Sequence, residues 1–130
     1  MLVEDTSDFI YNSSIGIHAV GADGIITYAN PFELDMLGYD KDEYVGHHVS
    51  EFQKDNVALT DMMKRLGNFE ILKNYPSKVQ SKSEIIYVLY NSSVYQEEGK
   101  FIHTRCFGSQ IDKNTYEVLK KNSVYYKNRT

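Results

Sequence analysis

Residues 23–46, DGIITYANPFELDMLGYDKDEYVG, contain the local signals that decide the fold. The Asp-Gly pair that opens this stretch is typical of a hairpin turn, and the β-branched and aromatic run at 25–29 predicts a strand. Asn30 is a favourable helix N-cap, Pro31 suits the first helical position, and Glu33 is spaced to reach back to the cap amide. The stretch therefore predicts a strand that runs directly into a short, capped helix.

A second short helix follows at once. Gly38 is a typical residue for ending the first helix, because glycine adopts the left-handed conformation at little cost. Asp40 is then a second N-cap, Glu43 stands three residues later as in a capping box, and Gly46 is the next terminator. We expect two short helices that fold the chain against the edge of a sheet and leave a concavity beside it.

The chain on either side supplies partners for this unit. Upstream, residues 15–20 predict a strand that forms a hairpin with 25–29, and residues 3–14 predict a short helix lying across the sheet. Downstream, Asp55 is the expected cap of a helix. Apolar residues recur in that helix at three- and four-residue spacing up to Leu66.

The C-terminal half reads as antiparallel sheet. Strands are predicted at 69–80, 85–95 and 101–111, and a proline inside the first of them indicates an edge strand or an irregular one. Asp112 is expected to cap a terminal helix. Strands followed by short helices and then by strands indicate an α+β domain.

The composition excludes several classes of function. The 130 residues suffice for one core, and a hydrophobic content of 42% argues against disorder. The net charge of −4 argues against a nucleic-acid partner, which requires a basic surface. A single cysteine excludes an internal disulfide and a cysteine-cluster metal site.

The chain also lacks the usual signals for membranes and export. No apolar run approaches the roughly 20 residues that cross a bilayer. Acidic residues follow Met1, where a signal peptide has a basic and then an apolar region. We therefore expect a cytoplasmic domain, or a cytoplasmic fragment of a larger protein, without membrane contact.

Three motifs resemble those of PAS domains, most closely the PAS modules of bacterial sensor histidine kinases. They are GADGIITYAN at 21–30, PFELDMLGYDKDEYVGHHVSEF at 31–52 and VLYNSSVYQEEGKFIHTRCF at 88–107. The resemblance implies a five-stranded antiparallel sheet of order 2-1-5-4-3, with short helices on one face forming a pocket. It divides the chain into an N-terminal cap helix at 1–14, a PAS core at 15–111 and a C-terminal signalling or linker helix at 112–130.

Two positions depart from the family pattern. The last strand of many PAS modules ends in an Asp-Ile-Thr motif, but this chain has Ser-Gln-Ile-Asp at 109–112. The usual Asp-Gly turn before the fourth strand is replaced by Ser-Lys-Ser-Glu at 81–84. The first departure puts in doubt the usual route by which PAS modules transmit a signal to the C-terminal helix. It also leaves Asp112 free to cap that helix.

The resemblance implies a ligand pocket and a dimerisation face. The expected pocket residues are His18, Tyr28, Leu37, Met62, Leu66, Tyr87, Leu89, Asn91, Thr104 and Cys106. The expected dimer-face residues, which would otherwise form a large exposed apolar patch, are Phe9, Ile17, Ile86, Val88, Tyr90, Phe101 and Phe107. Tyr87, Asn91 and Thr104 are the predicted ligand-orienting groups, and the alternative for His18 is a core histidine bonded to a tyrosine or the backbone.

The resemblance therefore predicts a sensory module that forms a homodimer, binds a small molecule and relays to a C-terminal effector such as a histidine kinase. The alternative is a ligand-free dimerisation or protein-interaction domain.

No cofactor is required by the sequence, and flavin and haem are not expected. The segment 51–60 lacks the cysteine of a flavin photosensor, and the helix at 55–66 lacks the histidine that PAS haem sensors use. His47 and His48 are adjacent, so their side chains diverge, and a surface or capping role is expected for each. Catalysis by Cys106 with a histidine base is not expected either, because the sequence shows no third residue to orient the base.

Overall fold

In the computed structural model, which describes residues 2–123, five strands form one antiparallel sheet of order β2-β1-β5-β4-β3. The strands are β1 Gly16–Val20, β2 Ile26–Ala29, β3 Leu72–Gln80, β4 Ile85–Glu97 and β5 Lys100–Ile111. The helices are α1 Thr6–Tyr11, α2 Pro31–Leu37, α3 Lys41–Tyr44, α4 Asn56–Gly67 and α5 Lys113–Lys121, and a 3₁₀ turn spans Val49–Glu51. The predicted α+β class and strand order are confirmed.

The core lies between the sheet and the helices α2 to α4, on what we call the inner face. Ile26 on β2, Val79 on β3 and Val88 on β4 are almost fully buried there, and Leu37 of α2 packs into the same cluster. Burial of each such side chain contributes about 1.5–3 kcal/mol, so this layer holds the helices on the sheet.

The caps of the short helices explain their bounds. The Asn30 side chain accepts a hydrogen bond from the Glu33 amide at 3.0 Å, and Gly38 ends α2 with φ of 79°. Asp40 and Glu43 form the expected capping box around α3. The prediction that the Glu33 carboxylate accepts a hydrogen bond from the Asn30 amide is wrong, because the Glu33 side chain is buried in the core.

The orientation of β4 differs from the prediction. Ile86, Val88 and Tyr90 were expected on the dimer face, but all three are buried on the inner face. The pairing of Tyr90 with Gly108 accounts for this, because glycine leaves room for the tyrosine ring under the helices. Since side chains alternate along a strand, the neighbouring β4 residues lie on the opposite, outer face.

A β-bulge places one further residue, Phe101, on the face of the sheet opposite to the predicted one. The register of β4 and β5 shifts between Tyr95 and Gln96, so that His103 pairs with Tyr95 but Phe101 pairs with Gln96. One extra residue on β5 turns the Phe101 ring to the inner side, where it contacts Phe69 with 6.4 Å between ring centroids. The expectation that Phe101 belongs to the dimer face is therefore wrong.

The outer face is partly covered by α5. Asp112 caps this helix, as expected, by accepting a hydrogen bond from the Thr115 amide at 2.7 Å. The ring of Tyr116 lies 4.6 Å from the ring of Tyr87 on β4 and is buried. The terminal helix consequently folds back on the sheet beside β3 and β4.

The remaining outer face carries the other expected dimer residues. Ile17 and Phe107 are cross-strand partners on β1 and β5, and Phe107 is 40% exposed whereas Ile17 is buried. Phe9 on α1 is also exposed, and none of the six residues of α1 is buried. Within residues 2–123, no helix has the length and apolar character needed to span a bilayer.

Candidate functional site

A small cavity of about 40 Å³, which we call the inner cavity, lies between α4 and the inner face of the sheet. Most of its wall is apolar, with a group of polar side chains from β1, β4 and β5 on the sheet side. The lining residues are His18, Val20, Val49, Gln53, Leu59, Met62, Met63, Leu66, Leu72, Tyr90, Ser92, Thr104 and Cys106. The structure thus brings together five of the expected pocket residues, namely His18, Met62, Leu66, Thr104 and Cys106.

Three expected pocket residues lie on the outer face. Tyr87, Leu89 and Asn91 alternate with the buried residues of β4, so the expectation that they line the pocket is wrong. Asn91 is exposed and accepts a hydrogen bond from the backbone amide of Asn74 across the β3–β4 ladder. A polar side chain at the cavity comes instead from Tyr90 on the inner face of β4.

The other two expected pocket residues also lie elsewhere. Tyr28 pairs with Ala19 across the outer face, because His18 and Ala29 take the inner positions of that ladder. Leu37 is buried in the core, but it sits at the end of α2 beside the β3–β4 turn, where its carbonyl accepts from the Lys82 amide. Neither lines the inner cavity.

A buried ion pair lies at the polar side of the inner cavity. The Nδ1 atom of His18 is 2.9 Å from Oε2 of Glu33, and both side chains are buried, with exposures of 4% and 0%. The Tyr44 hydroxyl donates to the same carboxylate oxygen at 2.7 Å. The alternative for His18 was a core histidine bonded to a tyrosine or the backbone. The structure shows a core histidine beside a tyrosine, with the Glu33 carboxylate between the two rings.

Aromatic rings fix the orientation of His18. Its ring stands edge-on to Tyr44 at 6.2 Å and to Tyr90 at 5.7 Å between ring centroids. The Tyr90 hydroxyl in turn accepts a weak hydrogen bond from Gln53 at 3.4 Å. The imidazole is therefore confined between two tyrosines while one of its edges faces the carboxylate.

The electrostatics favour a charged His18. Burial by itself would lower the pKa of the imidazole, but the neighbouring Cys106 and Glu33 outweigh it and hold the pKa of His18 well above its usual 6.5. Burial, followed by the charge of Glu33, raises the pKa values of the Tyr44 and Tyr90 phenols well above 10.0. Both tyrosines therefore stay neutral, and His18 is the positive partner of Glu33 near neutral pH.

Cys106 extends the cluster along β5. It is the direct cross-strand partner of His18, and its Sγ donates to Oγ1 of Thr104 at 3.2 Å. The same Thr104 oxygen accepts from the backbone amide of Val20 at 2.9 Å. One side of the inner cavity thus carries an imidazole, a thiol and a hydroxyl, and the Glu33 carboxylate contacts the imidazole from outside the cavity wall.

Glu33 is the site residue that sequence reasoning missed. The pattern gave it the role of a capping residue because it stands three positions after Asn30. The available signal was its spacing of four from Leu37, which places an acidic side chain on the buried stripe of α2. A carboxylate on such a stripe needs a buried partner, and His18 is that partner.

The remaining histidines take local structural roles. His47 lies 3.1 Å from Glu51 and is partly exposed, and His48 caps the 3₁₀ turn by accepting from the Ser50 amide. These surface and capping roles were predicted. Among the described residues, no group of three or more histidine, cysteine, aspartate or glutamate side chains is arranged to hold a metal ion.

Solved structures with PAS domains share this architecture. The PAS domain of an HTR-like protein from Haloarcula marismortui is 24% identical, with a TM-score of 0.66 over 79% of this chain and 86% of that chain. A PAS domain from a two-component sensor histidine kinase is 16% identical, with a TM-score of 0.65 over 80% and 91%. A light-oxygen-voltage domain studied with a flavin analogue is also 16% identical, with a TM-score of 0.74 over 89% of each chain.

No protein-family model matches the sequence, and no curated protein matches it either. The structural similarity, the strand order and the helices on one face nevertheless agree. The chain has the PAS fold, as its motifs predicted.

Proposed function

We propose that this domain is a sensory signalling module in which a small molecule in the inner cavity controls a C-terminal effector, such as a histidine kinase. The buried pair of His18 and Glu33 carries this proposal, because an apolar pair of similar volume would stabilise a purely structural core at least as well. A charged group placed at a cavity is instead suited to recognising a polar molecule. The likeness to PAS domains, one of them from a sensor histidine kinase, supports the class of function.

The cavity limits the ligand to a small molecule. About 40 Å³ accommodates a few heavy atoms, since one water needs roughly 10–15 Å³ by the same measure. The ligand would place a polar group against His18, Tyr90 and Thr104, and an apolar part against Met62 and Leu66.

We propose that the domain carries neither flavin nor haem. The inner cavity is far too small for either group, and the 51–60 segment has no cysteine. The absorption spectrum of the purified protein tests this directly. A visible band that survives gel filtration would overturn it.

The relay to the effector would use α5. This helix begins at the Asp112 cap and packs Tyr116 on Tyr87, across the sheet from the cavity. A ligand that favours one arrangement of β4 and β5 would thereby change the docking of α5. We keep the division into 1–14, 15–111 and 112–130 for this reason, although residues 124–130 lie outside the described part of the chain.

Ligand binding is tested by a thermal-shift screen of small polar fragments against matched variants. A true cavity ligand should stabilise the native protein and Tyr87→Phe equally, because Tyr87→Phe removes a hydroxyl from the outer face. It should stabilise Tyr90→Phe less, because that variant loses a hydroxyl at the cavity. Equal shifts in both variants, or no stabilising fragment at all, would contradict the sensing proposal.

A ligand-free dimerisation domain is the second candidate, and we propose a homodimer in either case. The exposed Phe107 ring on the outer face favours it. Sedimentation velocity should show a dimer that Phe107→Asp converts to a monomer. Val57→Asp changes an equally exposed residue on α4 and should leave the dimer intact. A monomeric wild-type protein would rule out this surface as a homodimer interface.

A further inference from the structure

Cys106 is part of an acid–imidazole–thiol series whose third member was not recognisable in the sequence. Glu33 faces His18 at 2.9 Å, and His18 faces Cys106 across the β1–β5 ladder. An imidazole oriented by a carboxylate and placed beside a thiol is the arrangement that converts a cysteine into a nucleophile. The missing orienting residue was the ground for expecting no reaction at this cysteine, and the structure supplies it.

The charges of this series favour the thiolate. Burial alone would raise the pKa of the Cys106 thiol, but the charge of His18 and hydrogen bonds with His18, Ser92 and Thr104 hold that pKa below its usual 9.0. The Thr104 hydroxyl, which accepts from the thiol, can rotate to donate to a thiolate. Anionic sulfur would therefore have hydrogen-bond donors around it.

The cluster also has unused polar capacity at the cavity. His18 lines the inner cavity, and its Nδ1 lacks a hydrogen bond of proper alignment to any described residue, despite the short distance to Glu33. Oε1 of Glu33 is likewise buried without a hydrogen-bond partner among residues 2–123. The imidazole, which borders the cavity, can exchange a proton with a small polar reagent that enters, whereas the Glu33 carboxylate lies outside the cavity wall.

The inner cavity shares part of its wall with a cavity that borders exposed residues. A second cavity of about 220 Å³ shares Val20, Met63, Leu66 and Thr104 with the inner one. Its wall also includes Ala22 and Gly67, which are both exposed. A reagent of two heavy atoms fits the 40 Å³ of the inner cavity, whereas a tripeptide thiol or a second protein does not.

We infer that Cys106 is a modification site for hydrogen peroxide, with His18 as proton donor and Glu33 and Thr104 as positioning residues. The thiolate attacks one peroxide oxygen, so that an S–O bond forms while the O–O bond breaks. Sulfur is oxidised to a sulfenic acid, the peroxide is reduced, and the departing hydroxide takes a proton from His18 to become water. No second cysteine exists in the chain to resolve the sulfenic acid as an internal disulfide.

This proposal rests on the cavity of the proposed function but requires neither a noncovalent ligand nor a relay. Oxygen added to the sulfur would occupy part of the inner cavity and change the contacts of Thr104 and His18. The oxidised form would thus be a covalently bound state of the same sensor.

The test treats the native protein with hydrogen peroxide and traps sulfenic acid on Cys106 with a cyclic diketone, followed by mass spectrometry. We expect labelling faster than for a free cysteine derivative near neutral pH, because a lowered pKa of the Cys106 thiol increases the fraction of thiolate. A bulky aromatic disulfide reagent should react with Cys106 only after unfolding in urea. Labelling no faster than for the free thiol would overturn the inference.

Positioning by Glu33 is tested through the pH–rate profile. Glu33→Gln should move the rise of the oxidation rate to higher pH, because His18 then loses its carboxylate partner. Glu84→Gln changes an exposed acid and should leave the profile unchanged. An unshifted profile in folded Glu33→Gln would overturn the positioning role.

Should Glu33→Gln fail to fold, Thr104→Ser keeps the hydroxyl beside the sulfur and must retain fast labelling. Cys106→Ser should lose all labelling, whereas fragment binding is measured separately, by thermal shift on the reduced native protein without peroxide. Failure of the peroxide reaction and failure of ligand sensing are therefore distinguishable.

Discussion

Glu33 has no exposure to solvent, and its carboxylate contacts both the His18 ring and the Tyr44 hydroxyl. Glu33→Gln keeps the size of the side chain but leaves the buried imidazolium without a counter-charge. We expect it to lower the free energy of unfolding by about 3–5 kcal/mol in urea titrations, the usual cost of breaking a buried pair. Glu84→Gln should change stability by less than about 0.5 kcal/mol, and an equal loss in both would contradict the buried pair.

Gly16 is the other residue that this cluster depends on. A Cβ at this position would overlap Oε1 of Glu33 and lie 3.1 Å from the Gly108 carbonyl oxygen. Gly16→Ala should therefore push the carboxylate aside and cost about 1–3 kcal/mol in the same titrations. Gly67→Ala has open space around the new methyl group and should be neutral or slightly stabilising. A harmless Gly16→Ala would show that the carboxylate is not held there.

At the scale of elements, α5 is held on the sheet mainly by Tyr116 and by the ion pair of Lys120 with Asp55 at 3.2 Å. Tyr116→Ala should release the helix without unfolding the sheet, because the other α5 side chains are at most partly buried. We expect hydrogen exchange of the α5 amides to quicken while the amides of β5 stay protected. Val118→Ala changes a 57% exposed residue of the same helix and should alter neither the exchange of the α5 amides nor that of the β5 amides. Unchanged α5 exchange in Tyr116→Ala would contradict the docked helix.

The docked helix also explains why the orientation of β4 could not be predicted. Both faces of this strand are apolar near its start, with Ile86, Val88 and Tyr90 on one side and Tyr87 and Leu89 on the other. Strand alternation identifies the core only when the second face is polar. Here the second face is apolar because α5 covers part of it, so the strand's position was predictable but its orientation was not.

For the whole molecule, the sequence predicted the fold well because turns, caps and element order are local features. Asp40, Asp55 and Asp112 all cap the helices that they were expected to begin. The candidate site depends on contacts between residues far apart in the chain, such as Glu33 with His18 and His18 with Cys106. Only five of the ten expected pocket residues therefore line the cavity.

Global stability should depend on pH through His18. Because its folded pKa lies above the unfolded value of about 6.5, its stabilisation is complete below that pH and is lost as pH rises through the folded pKa. Cys106, whose pKa is lowered, contributes with the opposite sign, but it is also the first of the neighbours that raise the pKa of His18, so it stays in place in this test. Urea titrations of the native protein and of Glu33→Gln are therefore compared. The stability that Glu33 adds should be largest below about pH 6.5 and should shrink as pH rises through the folded pKa of His18. In a His18→Gln background the same change at Glu33 should show no such dependence on pH. A stability difference between the native protein and Glu33→Gln that does not change with pH would contradict a charged His18.

The direct test of the buried pair is an NMR titration of the native protein with isotope-labelled histidine, with His18 assigned through His18→Gln. The ring signals of His18 should remain those of the imidazolium well above pH 6.5, because Glu33 and Cys106 hold the proton. In Glu33→Gln, the pKa of His18 obtained from these signals should be lower. A His18 whose pKa is at or below its ordinary value, or does not change in Glu33→Gln, would contradict the charged cluster on which both the proposed sensing function and the proposed reaction of the thiol depend.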